Sequence, residues 1–283
     1  MSIAIALPAA AQQTGRVPAA EQRRSLEASM LVAGSIDIQP DGSVSAYRLQ
    51  HAERLPPEAA RIVRQTVTGW RFEPVLVDGV ARPVTSPMRL RLIARPVGDD
   101  YVVSVTDASF FDDDDITSTE QLRIDRQRPA PRYPPRMVAE GIPATAYVAL
   151  RIGRDGKVSD AMVQQVNLHR VIYSRLDDAR NEFARAALTA LKRWTFHVPT
   201  TGPESDAESW TGVIPVTFCI EGALICDRDS HYGRWVPHVP GPSTQPAWLD
   251  DDQARRLSNT AIADNGLSSG HERLQLLTSL DGD

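Results

Sequence analysis

The chain has 283 residues, 42% hydrophobic and 24% charged, with a net charge of −5. That is long enough for two domains and apolar enough for a sizeable core. The negative balance argues against a general nucleic-acid binder, which needs a basic face to displace phosphate counterions, and against a polybasic membrane anchor. The longest uncharged apolar run, Ile3 to Ala11, would span as a helix about 14 Å of a ~30 Å hydrocarbon layer, so the chain as given is not expected to cross a membrane.

The first thirteen residues, MSIAIALPAAAQQ, read as the end of a secretory signal: a short apolar stretch, a proline, then Ala9 and Ala11 in an A-x-A pattern. Residues 1–11 would then be a signal remnant and the mature protein periplasmic. The alternative is a flexible alanine-rich terminus.

Residues 30–95 contain a degenerate copy of a pattern that recurs later in the chain, without the Tyr-Pro segment that precedes the later copy. Ile36 to Leu49 is a strand, an Asp41-Gly42 turn and a second strand. Pro56-Pro57-Glu58 opens a helix with Ala59, Ile62, Val63 and Val67 on one stripe. A strand with Trp70 and Phe72 on one face follows, and a last strand turns Met88, Leu90 and Leu92 one way.

Residues 96–129 are a compositional break. Between 99 and 126, nine acids stand against two bases, a local charge of −7. The expected structure is an extended, solvated linker, with Tyr101 to Val105 as one candidate strand. Asp112 to Asp115 lack the spaced ligands and glycine of a calcium loop.

The same pattern then recurs over residues 130–226. Leu150 to Val163 is a hairpin around Asp155-Gly156. Leu176 to Leu191 carries Leu176, Ala179, Phe183, Ala187, Ala190 and Leu191 on one helical stripe. Trp194 and Phe196 repeat the aromatic strand, and Ile214, Val216, Phe218 and Ile220 share one face of a closing strand. A turn at Gly222-Ala223 would set Cys219 opposite Cys226, close enough for a disulfide; the alternative is two buried thiols. Residues 227–283 read as a Pro-rich, partly disordered tail with one short helix from about Asp250.

Catalytic patterns are missing. The sequence has no G-x-S-x-G, Gly-rich phosphate loop or H-E-x-x-H, and its six histidines are scattered. Neither an enzyme nor a cofactor or metal site is expected.

Over about residues 130–222, RYPPRMVAEGIP, the strand from Tyr147 to Ile152, RDGKVSDAMV, LTALKRWTFHVP and VIPVTFCI occur in an order that resembles the C-terminal domain of TonB-family proteins. PDGSV, WRFEP and the Asp78-Gly79 turn give residues 30–95 a weaker resemblance. The resemblance implies an α+β fold with two such units, each a small antiparallel sheet packed on one amphipathic helix. It implies binding rather than catalysis: docking by strand addition to an extended segment of an outer-membrane receptor or other envelope protein, in TonB-dependent transport. The family's transducers carry an inner-membrane anchor and a Pro-rich spacer, and neither pattern occurs in these residues. The candidate docking strand comprises Val213, Ile214, Val216, Thr217, Phe218 and Ile220, with Pro215 suited to an edge. Roughly micromolar affinity is expected from a few backbone bonds set against the cost of association. The alternative is an envelope scaffold whose two repeats pair with each other, or in a homodimer, without energy transduction.

Overall fold

The structure, a computed structural model, describes residues 26–98, 100–110, 119–170, 172, 175–220, 232–250, 253, 257, 267–268, 274–278 and 280. Residues 1–11, read as a signal remnant, and Cys226 lie outside the described residues. Among the described residues, no helix is long and apolar enough to cross a membrane.

The chain is α+β and strand-rich, with antiparallel sheets. Its first sheet contains β1 (Glu27–Ile38), β2 (Val44–Leu49), β5 (Val84–Val97), β6 (Asp100–Ser109) and β12 (Val236–His238). The order is β12-β1-β5-β6, and β2 also pairs with β1. Helix α1 (Pro57–Thr68) lies on one face, and β3 (Leu76–Val77) and β4 (Val80–Ala81) form a small separate hairpin. Ala59, Val63 and Val67 of α1 are buried with Met30, Val32 and Ile36 of β1 and Met88, Leu90 and Leu92 of β5. The period of four in the helix and of two in the strands produces this single apolar layer.

The second sheet has the order β11-β8-β9, from β8 (Ala144–Gly153), β9 (Val158–Leu168) and β11 (Ser209–Phe218). Its helix is α3 (Leu176–Leu191), after the short α2 (Pro135–Ala139). Ala179, Phe183, Ala187 and Leu191 are buried against Val148, Leu150, Ile214 and Val216. The short strands β7 (Arg123–Ile124) and β10 (Phe196–His197) pair beside this core.

The two units repeat one set of contacts. In the first turn Asp41 Oδ1 accepts the Ser43 N–H at 2.9 Å, and in the second Asp155 Oδ1 accepts that of Lys157 at 3.1 Å. The turn glycine then accepts a bond from the aromatic strand, Phe72 N–H to Gly42 O and Phe196 N–H to Gly156 O, both at 2.8 Å. The preceding tryptophan closes the helix end, Trp70 N–H to Val67 O at 3.2 Å and Trp194 N–H to Leu191 O at 3.0 Å. Each phenylalanine pairs outward with a different segment, Phe72 with Leu276 and Phe196 with Ile124.

Two segments are more ordered than composition implied. The stretch assigned to a linker contains all of β6, with Val105 buried, and Phe110 stacks edge-on against Trp70 and Phe72. Beyond Thr119 it joins the second unit, where Leu122 is buried. The candidate strand Tyr101 to Val105 lies within β6, which runs on to Ser109, and the acidic run Asp112 to Asp115 lies outside the described residues.

The described residues of the tail are stitched to both units. Glu27 to Ser29 pair with Val236 to His238. Val239 exchanges two bonds with Leu168, at 2.8 and 3.1 Å, and Thr244 N–H donates to Gln164 O. Glu73 N–H reaches Gln275 O at 2.9 Å, and Leu277 N–H reaches Arg71 O at 2.8 Å. Such single bridges have no periodicity, so they leave no pattern in the sequence.

Both turn glycines adopt positive φ, +79° at Gly42 and +71° at Gly156, and a Cβ there would lie 1.9 Å from Phe72 O and 2.3 Å from Phe196 O. Gly79 has φ +74° but open space. Gly79→Ala is expected to cost about 1 kcal/mol from backbone strain alone. Gly42→Ala and Gly156→Ala should each cost at least twice that, because a backbone carbonyl must move. Denaturant melts of the three variants check this ranking, and equal losses would contradict it.

Candidate functional site

Strand β11 is the outer strand of its sheet, paired on one side with β8. Its side chains alternate. Trp210, Ile214, Val216 and Phe218 are buried on the helix side. Val213 is buried on the other face, in a small cluster with Tyr147, Ala149 and Leu257 against Trp248 and Leu249. Thr217 is half-buried, and Ile220 is half-buried beyond the strand's end. The candidate residues therefore do not form an exposed apolar face. What β11 offers a partner is its backbone edge.

Backbone N–H and C=O groups of alternate residues turn to the same side of a strand. Val213 N–H donates to Ser268 O at 2.8 Å and Val213 O accepts from Ser268 N–H at 3.0 Å. Thr211, Val213, Pro215 and Thr217 thus share the outer edge. Pro215 supplies a carbonyl there but no N–H, as an edge position allows. Next to the bridge, a Cβ on Gly212 would lie 2.4 Å from Leu267 Cδ1 and 3.2 Å from Ser268 O. Only glycine lets the Leu267 side chain pass so close to the strand. Strand β11 is thus an outer strand whose edge is occupied at Val213 by a segment of the same chain.

Cys219 follows β11 and is exposed. Its proposed partner Cys226 lies outside the described residues.

Sequence reasoning missed two other features. On the first sheet, β6 ends the strand order, and among the described residues no strand pairs with its outer edge. Tyr101 and Val102 there are 53% and 56% exposed. An apolar cavity of about 420 Å³ opens nearby, lined by Leu26, Ala28, Ile62, Ala94, Val103 and Trp235 among others. No spacing rule could reveal a space enclosed by a sheet, a helix and a tail segment 130 residues further on.

The units meet through a polar junction centred on the buried His238. His238 on β12 is 3% exposed, and its Nε2 lies 3.6 Å from Glu27 Oε2. Arg95 Nε donates to Glu27 Oε1 at 3.2 Å. The His238 ring centroid is 6.0 Å from that of His169, whose Nε2 lies 2.9 Å from Thr145 Oγ1 on β8. The His238 side chain is the largest influence holding the Glu27 carboxyl below its ordinary range, and the Arg95 guanidinium adds to it against the opposing effect of burial.

Comparison with protein-family models, with curated proteins and with solved structures finds no match to this chain.

A carboxyl whose pKa is depressed by folding stabilises the fold while ionised, and that contribution disappears as pH falls through the folded value. Glu27 should therefore contribute stability at neutral pH and lose it below about pH 4.5, its ordinary value. Glu27→Gln is expected to be less stable than wild type by about 1 kcal/mol at pH 7, the worth of a charge-assisted contact that is partly open to water. The gap should narrow as the pH approaches 3. Urea melts of both chains at several pH values check this.

Proposed function

We propose that the chain is a periplasmic protein-interaction module that captures an extended segment of an outer-membrane receptor or other envelope protein by adding it as a strand to the outer edge of β11. On this reading its two units are variants of the TonB C-terminal domain, and its role is binding rather than catalysis. One observation carries the proposal: the paired hydrogen bonds between Val213 and Ser268 are already a strand-addition contact, made by a non-neighbouring segment at the edge singled out from sequence. A strand edge is a row of outward donors and acceptors, and its pairing is indifferent to which chain supplies the second backbone.

A second reading has its own support. Val236 to Val239 pair with β1 of the first unit and with Leu168 of the second. That link favours an envelope scaffold in which the two units are held as one body and no energy is transduced. The link runs through the tail rather than by direct pairing of the repeats.

In-cell photo-crosslinking separates the two. Probes belong at Thr211 and Thr217, which are half-buried on the edge side, with a control at exposed Arg61 on α1. Adducts with an outer-membrane receptor from the two edge positions, and none from Arg61, are expected for the docking module. Adducts confined to this chain would overturn docking at β11 and leave the scaffold.

A further inference from the structure

We infer that the chain's own Leu267-Ser268 segment is a resident competitor at β11, and that it displays the pattern a partner must carry: a Leu-sized aliphatic residue followed directly by a small residue with a free N–H, in an extended segment. This inference rests on the strand-addition reading and specifies its ligand and its regulation.

Three features of the contact define the pattern. The Ser268 N–H and C=O both bond Val213, so a proline at that position would lose one of the two bonds. The Ser268 residue is 2% exposed, which leaves room for a small side chain only. Leu267 packs against the second hydrophobic core beside Gly212, where the missing Cβ makes its space. Pro215 next along the edge cannot donate, so the bridge at Val213 is where recognition concentrates.

The tail is also held close by. Thr244 N–H is bonded to Gln164 O on β9, and Trp248, Leu249 and Leu257 cover Tyr147, Ala149 and Val213 on the outer sheet face. A segment tethered this way acts at an effective concentration on the order of millimolar. An external peptide of micromolar affinity must therefore displace it rather than fill a vacant edge. Release of the segment would open the edge at Val213.

The test uses the full chain and, as probe, a fluorescein-labelled synthetic peptide with the sequence of residues 262–272. Its binding is measured by anisotropy to wild type, Ser268→Pro, Leu267→Ala, and Ser268→Pro combined with Gly212→Val. Exchange of the Val213 amide is followed in parallel. Ser268→Pro should bind the peptide at least tenfold more tightly than wild type, and Leu267→Ala, which keeps the backbone bonds, a few-fold more tightly. Adding Gly212→Val should remove binding. The Val213 amide should be protected in wild type and exchange at least tenfold faster in Ser268→Pro without peptide. Equal affinity for wild type and both single variants, or an unprotected Val213 amide in wild type, overturns the resident competitor while strand addition at β11 stands. Binding by none of the chains overturns both.

Discussion

A strand edge has backbone groups that must find partners, and this constraint organises the molecule. Each sheet has a helix on one face, so its interior is easily satisfied. Its edges are not. A buried donor or acceptor left unpaired costs about 1 to 3 kcal/mol, more than a typical hydrogen bond contributes net. The chain answers with its last fifty residues. Val236 to His238 extend the first sheet, Val239 pairs with the end of β9, Ser268 pairs with β11, and Gln275 to Leu277 pair with the strand around Phe72. A segment that looks like a loose appendage in composition is the element that joins the units.

The units themselves rest on a local device used twice. An Asp-Gly turn curls so that its glycine carbonyl receives the N–H of a phenylalanine arriving from the far side of a helix. The turn, the helix end and the aromatic strand are thereby fixed to one another. Gly42 and Gly156 are under two constraints at once, a left-handed backbone and a carbonyl within reach of any Cβ. A residue held for two reasons tolerates less substitution than one held for conformation alone, which is why Gly79 differs from them.

These local devices are what sequence can express. Helix stripes, Asp-Gly turns and the alternation of Met88, Leu90 and Leu92 are all contained within a few residues, and the structure places each in the core or turn expected of it. What was illegible lies in pairings across long separations. Strand β6 was legible only in part: Tyr101 to Val105 alternates and reads as a strand, whereas its continuation to Ser109 runs into the acidic stretch that reads as linker. The Phe72–Leu276 and Val213–Ser268 bridges span irregular chain and carry no period to read. For the candidate docking strand, Pro215 was the residue-type signal for the outer position that β11 holds in its sheet. The alternation that sets Ile214, Val216 and Phe218 on one face of the strand sends them into the core, which leaves the backbone edge as what a partner could meet.

The two edges that end the sheets at β6 and β11 are protected in different ways, and the difference bears on function. Strand β6 begins at Asp100 and carries a bulge opposite Arg91 and Leu92, both devices that discourage indiscriminate pairing. Strand β11 has neither a charge nor a bulge over its ten residues against β8. Apart from Pro215, which withholds one donor from the edge, it is regular and apolar, and such an edge left open to solvent would invite aggregation. On the strand-addition reading proposed above, a cover that can be displaced keeps the capacity to pair without the hazard, whereas a permanently blocked edge would need only a charge or a bulge.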